Sequence, residues 1–223
     1  AEGGEFRMSG LTWMDEEQCL AGGMKEAFEG QTIVFSEEVF EGDNVESVTD
    51  FASLRKALNA GCPVSIDGDI LLTDYISFSV PVRISEGVTV RGTNYHDDTY
   101  GDSQFRMAVQ TGGILLNEGT LENIYVESHS AVINKGLLIG MEPEGMTIPT
   151  LWFSEESALL NLGTVDADGC SRFLTDAVCV NLGTVNAYSL SMAGGDMVNF
   201  SSILLQGDRG ILEADSGSRF RNG

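Results

Sequence analysis

Leu160-Asn-Leu-Gly-Thr-Val165 and Val180-Asn-Leu-Gly-Thr-Val185 are nearly the same six residues, and their recurrence decides how the chain folds. Leu116-Asn-Glu-Gly-Thr-Leu121 and Ile133-Asn-Lys-Gly-Leu-Leu138 share the pattern, and Val198-Asn-Phe-Ser-Ser-Ile203 keeps it with Ser201 in place of glycine. The asparagines Asn117, Asn134, Asn161, Asn181 and Asn199 are separated by 17, 27, 20 and 18 residues. Each has an apolar residue one position before it and another four positions after it. A period near 20 residues marks a solenoid, because one coil cannot bury its own apolar residues and must stack on its neighbours. The apolar positions are expected to point from two short strands into a shared interior. Asn and Gly are expected to supply the left-handed backbone of the bend between those strands. At the ~4.8 Å strand spacing of stacked coils, successive asparagine amides come within hydrogen-bonding reach and form a ladder. The residue after each asparagine varies (Glu118, Lys135, Leu162, Leu182, Phe200) and is read as facing outward. Asn161→Ala or Asn181→Ala is therefore expected to destabilise more than Glu118→Ala.

A β-sandwich has strands at similar spacing but no reason to repeat Asn-x-Gly at one phase. The leucine-rich L-x-x-L-x-L signature is absent. The expected fold is all-β, a right-handed parallel β-helix with a short N-terminal capping helix. The 27-residue interval requires an insertion, placed at Met141–Thr150, where Pro143, Gly145 and Pro149 oppose regular structure.

Upstream, Ser47–Gly61 reads as an amphipathic helix, with its helical body at 50–60. Asp50 is the N-cap, Phe51, Leu54 and Leu58 share a face, and Gly61 is the stop. A solenoid end exposes core and strand edges, so this helix is assigned as the cap of that end. Val64-Ser-Ile66, Ile70-Leu-Leu72, Ile76–Val82 and Val88-Thr-Val90 read as strands of earlier, less regular coils. Two regions follow: an acidic segment, 1–46, wrapping the first coils, and the β-helix, 47–223. Within the former, Thr32-Ile-Val-Phe35 reads as one strand.

The chain has 223 residues with 12 basic and 34 acidic side chains, a formal net charge of −22. Residues 1–50 hold 13 acids against Arg7 and Lys25, a net of −11. Such a polyanion is repelled by phosphate backbones and anionic lipid, which argues against nucleic-acid binding. An acidic sugar polymer is repelled too unless Ca²⁺ bridges it to the protein. The acids otherwise keep an extended strand-rich surface soluble. No apolar run reaches the ~18 residues of a membrane span. A signal peptide is taken to have been removed before Ala1. Cys19, Cys62, Cys170 and Cys179 lack zinc spacing. Cys179 falls at a repeated apolar position and is expected to be a buried thiol. A Cys19–Cys62 bridge is one way to tie the acidic segment to the body.

Asp50-Phe-Ala-Ser-Leu-Arg-Lys-Ala-Leu58, Val64-Ser-Ile-Asp-Gly-Asp-Ile-Leu-Leu72 and Pro81-Val-Arg-Ile84 together resemble the opening of pectate-lyase-like right-handed β-helix proteins. The likeness is greatest to secreted or surface proteins of gut bacteria and covers roughly residues 48–206. It implies this fold and an extracytoplasmic location, secreted or at the cell surface, and it transfers no activity. Hydrolases of that superfamily resemble one another in carrying Asn-Thr-Asp, Asp-Asp, Gly-His-Gly and Arg-Ile-Lys segments. Only an Asp-Asp pair, Asp97-Asp98, is found here, and neither His96 nor His129 has those flanks. Lyases of that superfamily use Ca²⁺-bound substrate and a basic residue as the base.

Tyr95-His-Asp-Asp-Thr-Tyr-Gly-Asp102 reads as a polar loop, with Arg83, Arg91 and Arg106 flanking it in sequence. Asp97, Asp98 and Asp102 are the calcium candidates, although they lack the alternating oxygen ligands of a defined loop. Asp166-Ala-Asp168-Gly169 is a fragment of such a loop. Tyr95, Tyr100, Tyr125, Tyr188, Trp13 and Trp152 are the aromatic candidates for stacking on sugars, and Tyr125 and Tyr188 are expected to share a face. At ~20 residues per coil, residues 62–223 supply about eight coils at most, fewer once loops are removed, which is short for an enzyme of this architecture. The sequence favours a non-catalytic secreted or cell-surface module with a structural, adhesive or glycan-binding role. Its partners would be a glycan, another surface protein, or a second copy stacked end to end. A compact polysaccharide lyase or glycoside hydrolase acting near 94–106 is the alternative.

Overall fold

The computed structural model describes residues 5–7, 34–36, 40, 44–97, 101–104, 107–141, 151–154, 156–169, 173–175, 177–192, 194–205, 211–214 and 217–222. They form a right-handed parallel β-helix with three faces: sheet I of nine strands, and sheets II and III of seven strands each. A coil crosses them in order, as in Ile114–Asn117 (I), Thr120–Glu122 (II) and Ile124–Val126 (III). Every pairing within the three sheets is parallel, and Asn117, Asn134, Asn161 and Asn181 stand opposite one another in sheet I. Among the described residues eight sheet I strands follow Glu46–Val48, the upper limit that the period allows.

The helix α1 (Phe51–Asn59) starts at Asp50, whose Oδ1 accepts the Ser53 N–H at 2.9 Å. Leu54 and Ala57 are fully buried beneath it, with Phe51 and Leu58 packed at the margin, so the helix covers the first coil. Gly61 follows at φ +72°, the left-handed stop. Ser47 and Val48 are not helical but belong to the first strand of sheet I. The stretch 76–82 is two strands, Ile76–Phe78 in sheet III and Pro81–Ile84 in sheet I, because the corner between faces falls at 79–80. Val34–Ser36 is a strand, paired antiparallel with Glu5–Arg7. The rest of the proposed wrapping by residues 1–46 lies largely outside the described residues.

The interior holds Leu115, Val132, Leu159, Cys179 and Met197, two positions before each asparagine. The residues one position before it point the other way. Leu116, Ile133, Leu160, Val180 and Val198 form a second apolar cluster with Phe40, distinct from the interior. Strand alternation explains the correction: neighbours on a strand face opposite sides, so only one of the two can enter the core. The residues after the asparagines do face outward, and Leu162, Leu182 and Phe200 pack against this second cluster.

The Asn-x-Gly reading also changes. Each asparagine ends a strand with its amide fully or almost fully buried, and none of Gly119, Gly136, Gly163 and Gly183 is left-handed. A Cβ on Gly136 would run into Gly119 O, on Gly163 into Gly136 O, and on Gly183 into Gly163 O. Glycine is required because successive coils touch there, not because the backbone turns left. The next N–H bonds that carbonyl: Leu137 to Gly119, Thr164 to Gly136 and Thr184 to Gly163, at 2.8, 2.8 and 2.9 Å. Where Ser201 replaces glycine, Ser202 N–H reaches Gly183 O only at 3.4 Å. Left-handed backbone recurs instead at the corner from sheet III to sheet I, at Gly112, His129, Glu156, Gly194 and Gly217, with Gly87 and Asn123 single cases at the other two corners.

The ladder itself is continuous. Asn117 Nδ2 donates to Asn134 Oδ1, Asn134 to Asn161, Asn161 to Asn181 and Asn181 to Asn199, at 2.8, 2.8, 2.7 and 2.7 Å. Asn199 donates to Asn222 at 2.7 Å, a sixth member that the spacing did not reveal. Below Asn117 the same column is Ile84, so Asn117 Oδ1 is buried with no donor. Cys179 is buried and free, and burial pushes its thiol up to about 12. Cys62 is also free, and Cys19, the other half of the suggested bridge, lies outside the described residues.

Candidate functional site

From Asn117 to Ser202 two residues link sheet I to sheet II in each coil. The corner from sheet II to sheet III is where the coils differ. It is the single residue Asn123 in one coil and Tyr188 in another, but 93–106 and 142–150 elsewhere. Sequence that departs from the repeat therefore collects along one edge of the solenoid, beside sheet III. The insertion assigned to Met141–Thr150 falls between Leu137–Met141 and Leu151–Phe153 on this edge; 142–150 lies outside the described residues.

On sheet III, Ile124–Val126 and Leu151–Phe153 bury their first and third residues and turn the second outward. Register sets Ala108, Tyr125 and Trp152 in one column. The Tyr125 and Trp152 rings meet edge to face, with centroids 5.5 Å apart and planes at 76°. Ser154 Oγ donates to Tyr125 Oη at 3.3 Å, and Trp152 Nε1 is a buried donor without an acceptor. Tyr188 stands at the corner leading into the sheet III strand Ser189–Met192 and is 45% exposed, so it borders the same face as Tyr125. Tyr75, which the sequence did not single out, is 48% exposed just before the sheet III strand Ile76–Phe78. Its signal was position: like Tyr188 it closes a corner connection. Tyr95 lies in a strand whose side chains are not described, and Trp13 and Tyr100 lie outside the described residues.

The region around 94–106 is a hairpin and not a loop. Asn94–Asp97 pairs antiparallel with Gly101–Gln104, setting Asp97 opposite Gly101 and Asp102 opposite His96. The backbone of this polar run pairs as a two-stranded antiparallel ribbon. Asp98 lies outside the described residues, and register sets neither Asp97 nor Asp102 opposite another acid. Asp166 to Gly169 is also strand, continuing Thr164–Gly169, with Asp166 opposite Asn186. Among the described residues no group of three or more His, Cys, Asp or Glu side chains is placed to hold a metal ion. No described helix is long and apolar enough to cross a membrane.

Several charged side chains work within the scaffold. Arg83 binds Glu118 at 2.6 Å, and Lys135 approaches the same carboxylate at 3.5 Å. His129 Nε2 meets Glu156 at 3.0 Å where the two left-handed corners stack. Ser47, Ser65 and Ser85 all donate to Asp67, at 2.5, 2.9 and 2.6 Å. Burial alone would raise the Asp67 carboxyl, but these hydroxyls and the Arg83 charge outweigh it and hold the carboxyl below its usual range. Glu122 shifts the other way, raised by burial against the weaker pull of Arg91. No protein-family model matches the chain, and no curated protein or solved structure is significantly similar to it.

Proposed function

We propose that this chain is a non-catalytic, secreted or cell-surface β-helix module that contacts a glycan through the outer face of sheet III. The observation that carries the reading is the Tyr125–Trp152 pair, which lies outward on a sheet whose other alternate residues are core. Two rings locked by mutual contact offer apolar faces to sugar C–H groups at little entropic cost. The departures from the repeat at 93–106 and 142–150 join strands of sheet II to strands of sheet III and would supply specificity. Kinship with the pectate-lyase-like superfamily, and an origin among surface proteins of gut bacteria, belong to the same reading and rest on the opening residues 50–84.

A glycan array followed by titration calorimetry tests it. Trp152→Ala should weaken the best ligand by about tenfold, or ~1.4 kcal/mol, with an unchanged circular dichroism spectrum. Undiminished binding would move the contact elsewhere. Release of new reducing or unsaturated ends, abolished in Asp98→Ala, would replace this reading with an enzyme acting near 94–106. A calcium-dependent rise in melting temperature would bring in Asp97, Asp98 and Asp102 as ligands.

A further inference from the structure

A groove of about 670 Å³ opens between α1 and the turn that joins Ile70–Leu72 to Ile76–Phe78. This is within the ~300–1,000 Å³ of small-ligand sites. Phe51, Arg55 and Asn59 line it at spacings of four residues, one stripe of the helix, with Lys56 beside them. Thr73 and Asp74 form the opposite wall.

Arg55 is held before any ligand arrives. Its Nη2 donates to Asp74 Oδ2 at 2.6 Å, and its guanidinium carbon lies 4.7 Å from the Phe51 ring centroid. Asp74 is fixed in turn, its Oδ1 accepting the Tyr75 N–H at 2.8 Å. A guanidinium has five N–H donors, so this arrangement leaves others free for a ligand. Lys56 forms no ion pair with a described residue. Two cations therefore face one carboxylate, reversing the local sign on a chain of net charge −22.

We infer that this groove binds a small polyhydroxylated carboxylate, its carboxylate against Arg55 and Lys56 and its hydroxyls against Asn59 and Thr73. The planar fork of arginine matches a carboxylate in two parallel hydrogen bonds, and the amide and hydroxyl match neutral oxygens. Phe51 supplies an apolar edge for the carbon chain. The site is separate from the aromatic face of sheet III and stands whether or not that face binds glycan.

The probe is gluconate, titrated into the full chain at low salt and followed by calorimetry and amide chemical shifts. Sorbitol supplies the hydroxyls without the charge, and acetate the charge without the hydroxyls. Gluconate should bind at least about tenfold more tightly than either, with shifts centred on 51–59 and 73–74. Lys56→Gln should weaken gluconate by about tenfold at an unchanged melting temperature. Because Arg55 also anchors the helix, Arg55→Gln is read only alongside its melting curve. Equal binding of acetate, absence of shifts in the groove, or full affinity in Lys56→Gln would each overturn the inference.

Discussion

Replacing Asn161 with alanine removes the centre of the ladder. Asn161 is 0% exposed and its side chain takes part in three hydrogen bonds: it accepts from Asn134 Nδ2 at 2.8 Å, and donates to Asn181 Oδ1 at 2.7 Å and Thr184 O at 3.0 Å. Each bond contributes about 1 kcal/mol net, and a buried partner left unsatisfied costs about 1–3 kcal/mol. Asn134 Nδ2 keeps Thr164 O as an acceptor at 2.9 Å, which softens one of the two losses. Asn181 Oδ1, itself buried, loses this donor. The sum is about 3–5 kcal/mol, a large part of a domain's stability. Asn222→Ala, at the last rung and less enclosed, should cost about 1 kcal/mol. Glu118→Ala is a poor reference, because Arg83 and Lys135 both bind that carboxylate. The exposed Glu86→Ala is better and should stay within about 0.5 kcal/mol of wild type. Urea unfolding by circular dichroism, analysed by linear extrapolation at constant slope, measures all three. A loss below about 1 kcal/mol for Asn161→Ala, or the same loss at Asn222, would refute the ladder as a source of stability.

Three further perturbations test other parts of the scaffold. Gly163→Ala should cost about 3 kcal/mol, since the methyl must push two coils apart, whereas Gly87→Ala, left-handed but with open space, should cost about 1–2 kcal/mol; urea midpoints compare them. Asp67→Asn should destabilise the protein at neutral pH, and its deficit should shrink as the pH falls. The folded carboxyl of Asp67 lies below its ordinary 3.8, so its contribution is complete above that value and disappears as the folded group protonates. Melting curves from pH 7 down to about 3 would show it, and a constant gap would contradict it. Cys179, buried with its thiol at about 12, should resist a thiol reagent in the native state while Cys62 reacts; mass mapping of labelled peptides checks this, and labelling of Cys179 without denaturant would count against a closed interior.

The coil was legible because one constraint repeats. Asparagine at a single phase shows that amides stack, and stacking amides require parallel, in-register strands. What misled was the chemistry assigned to the neighbouring residues. Leu160 and Leu159 look equally fit for a core, and only the strand's alternation sends Leu159 inward and Leu160 to the outer cluster. Gly163 looks like a turn residue, yet its need arises from Gly136 O one coil away, a contact 27 residues distant that local sequence cannot display. Asn222 was missed because no x-Gly follows it, although its amide completes the same ladder. The hairpin formed by Asn94–Asp97 and Gly101–Gln104 is hidden in the sequence because a continuous run of polar residues has no period that separates strand from loop. Tyr125 and Trp152 were visible only as separate aromatics; the insertion between them hides that they are neighbours across one rung.

The same constraint explains where function can reside on this scaffold. A residue on sheet I or at the Asn-x-Gly corner answers to the coils above and below, through an amide bond or a glycine contact, so changing it disturbs three coils. At the corner from sheet II to sheet III the coils need not agree, as Asn123, Tyr188 and the stretches 93–106 and 142–150 show. New chemistry can enter there with the least loss of stacking energy, and the outward residues of sheet III are the nearest rigid surface to it. Trp152 follows one such stretch by a single strand residue and meets Tyr125 from the coil before it. The Trp152→Ala titration therefore examines the one face on which the solenoid combines a fixed platform with freedom to vary. If glycan affinity maps instead to sheet I, whose outer cluster is already closed over Phe40, then repetition and not variation carries the function, and this account of the edge fails.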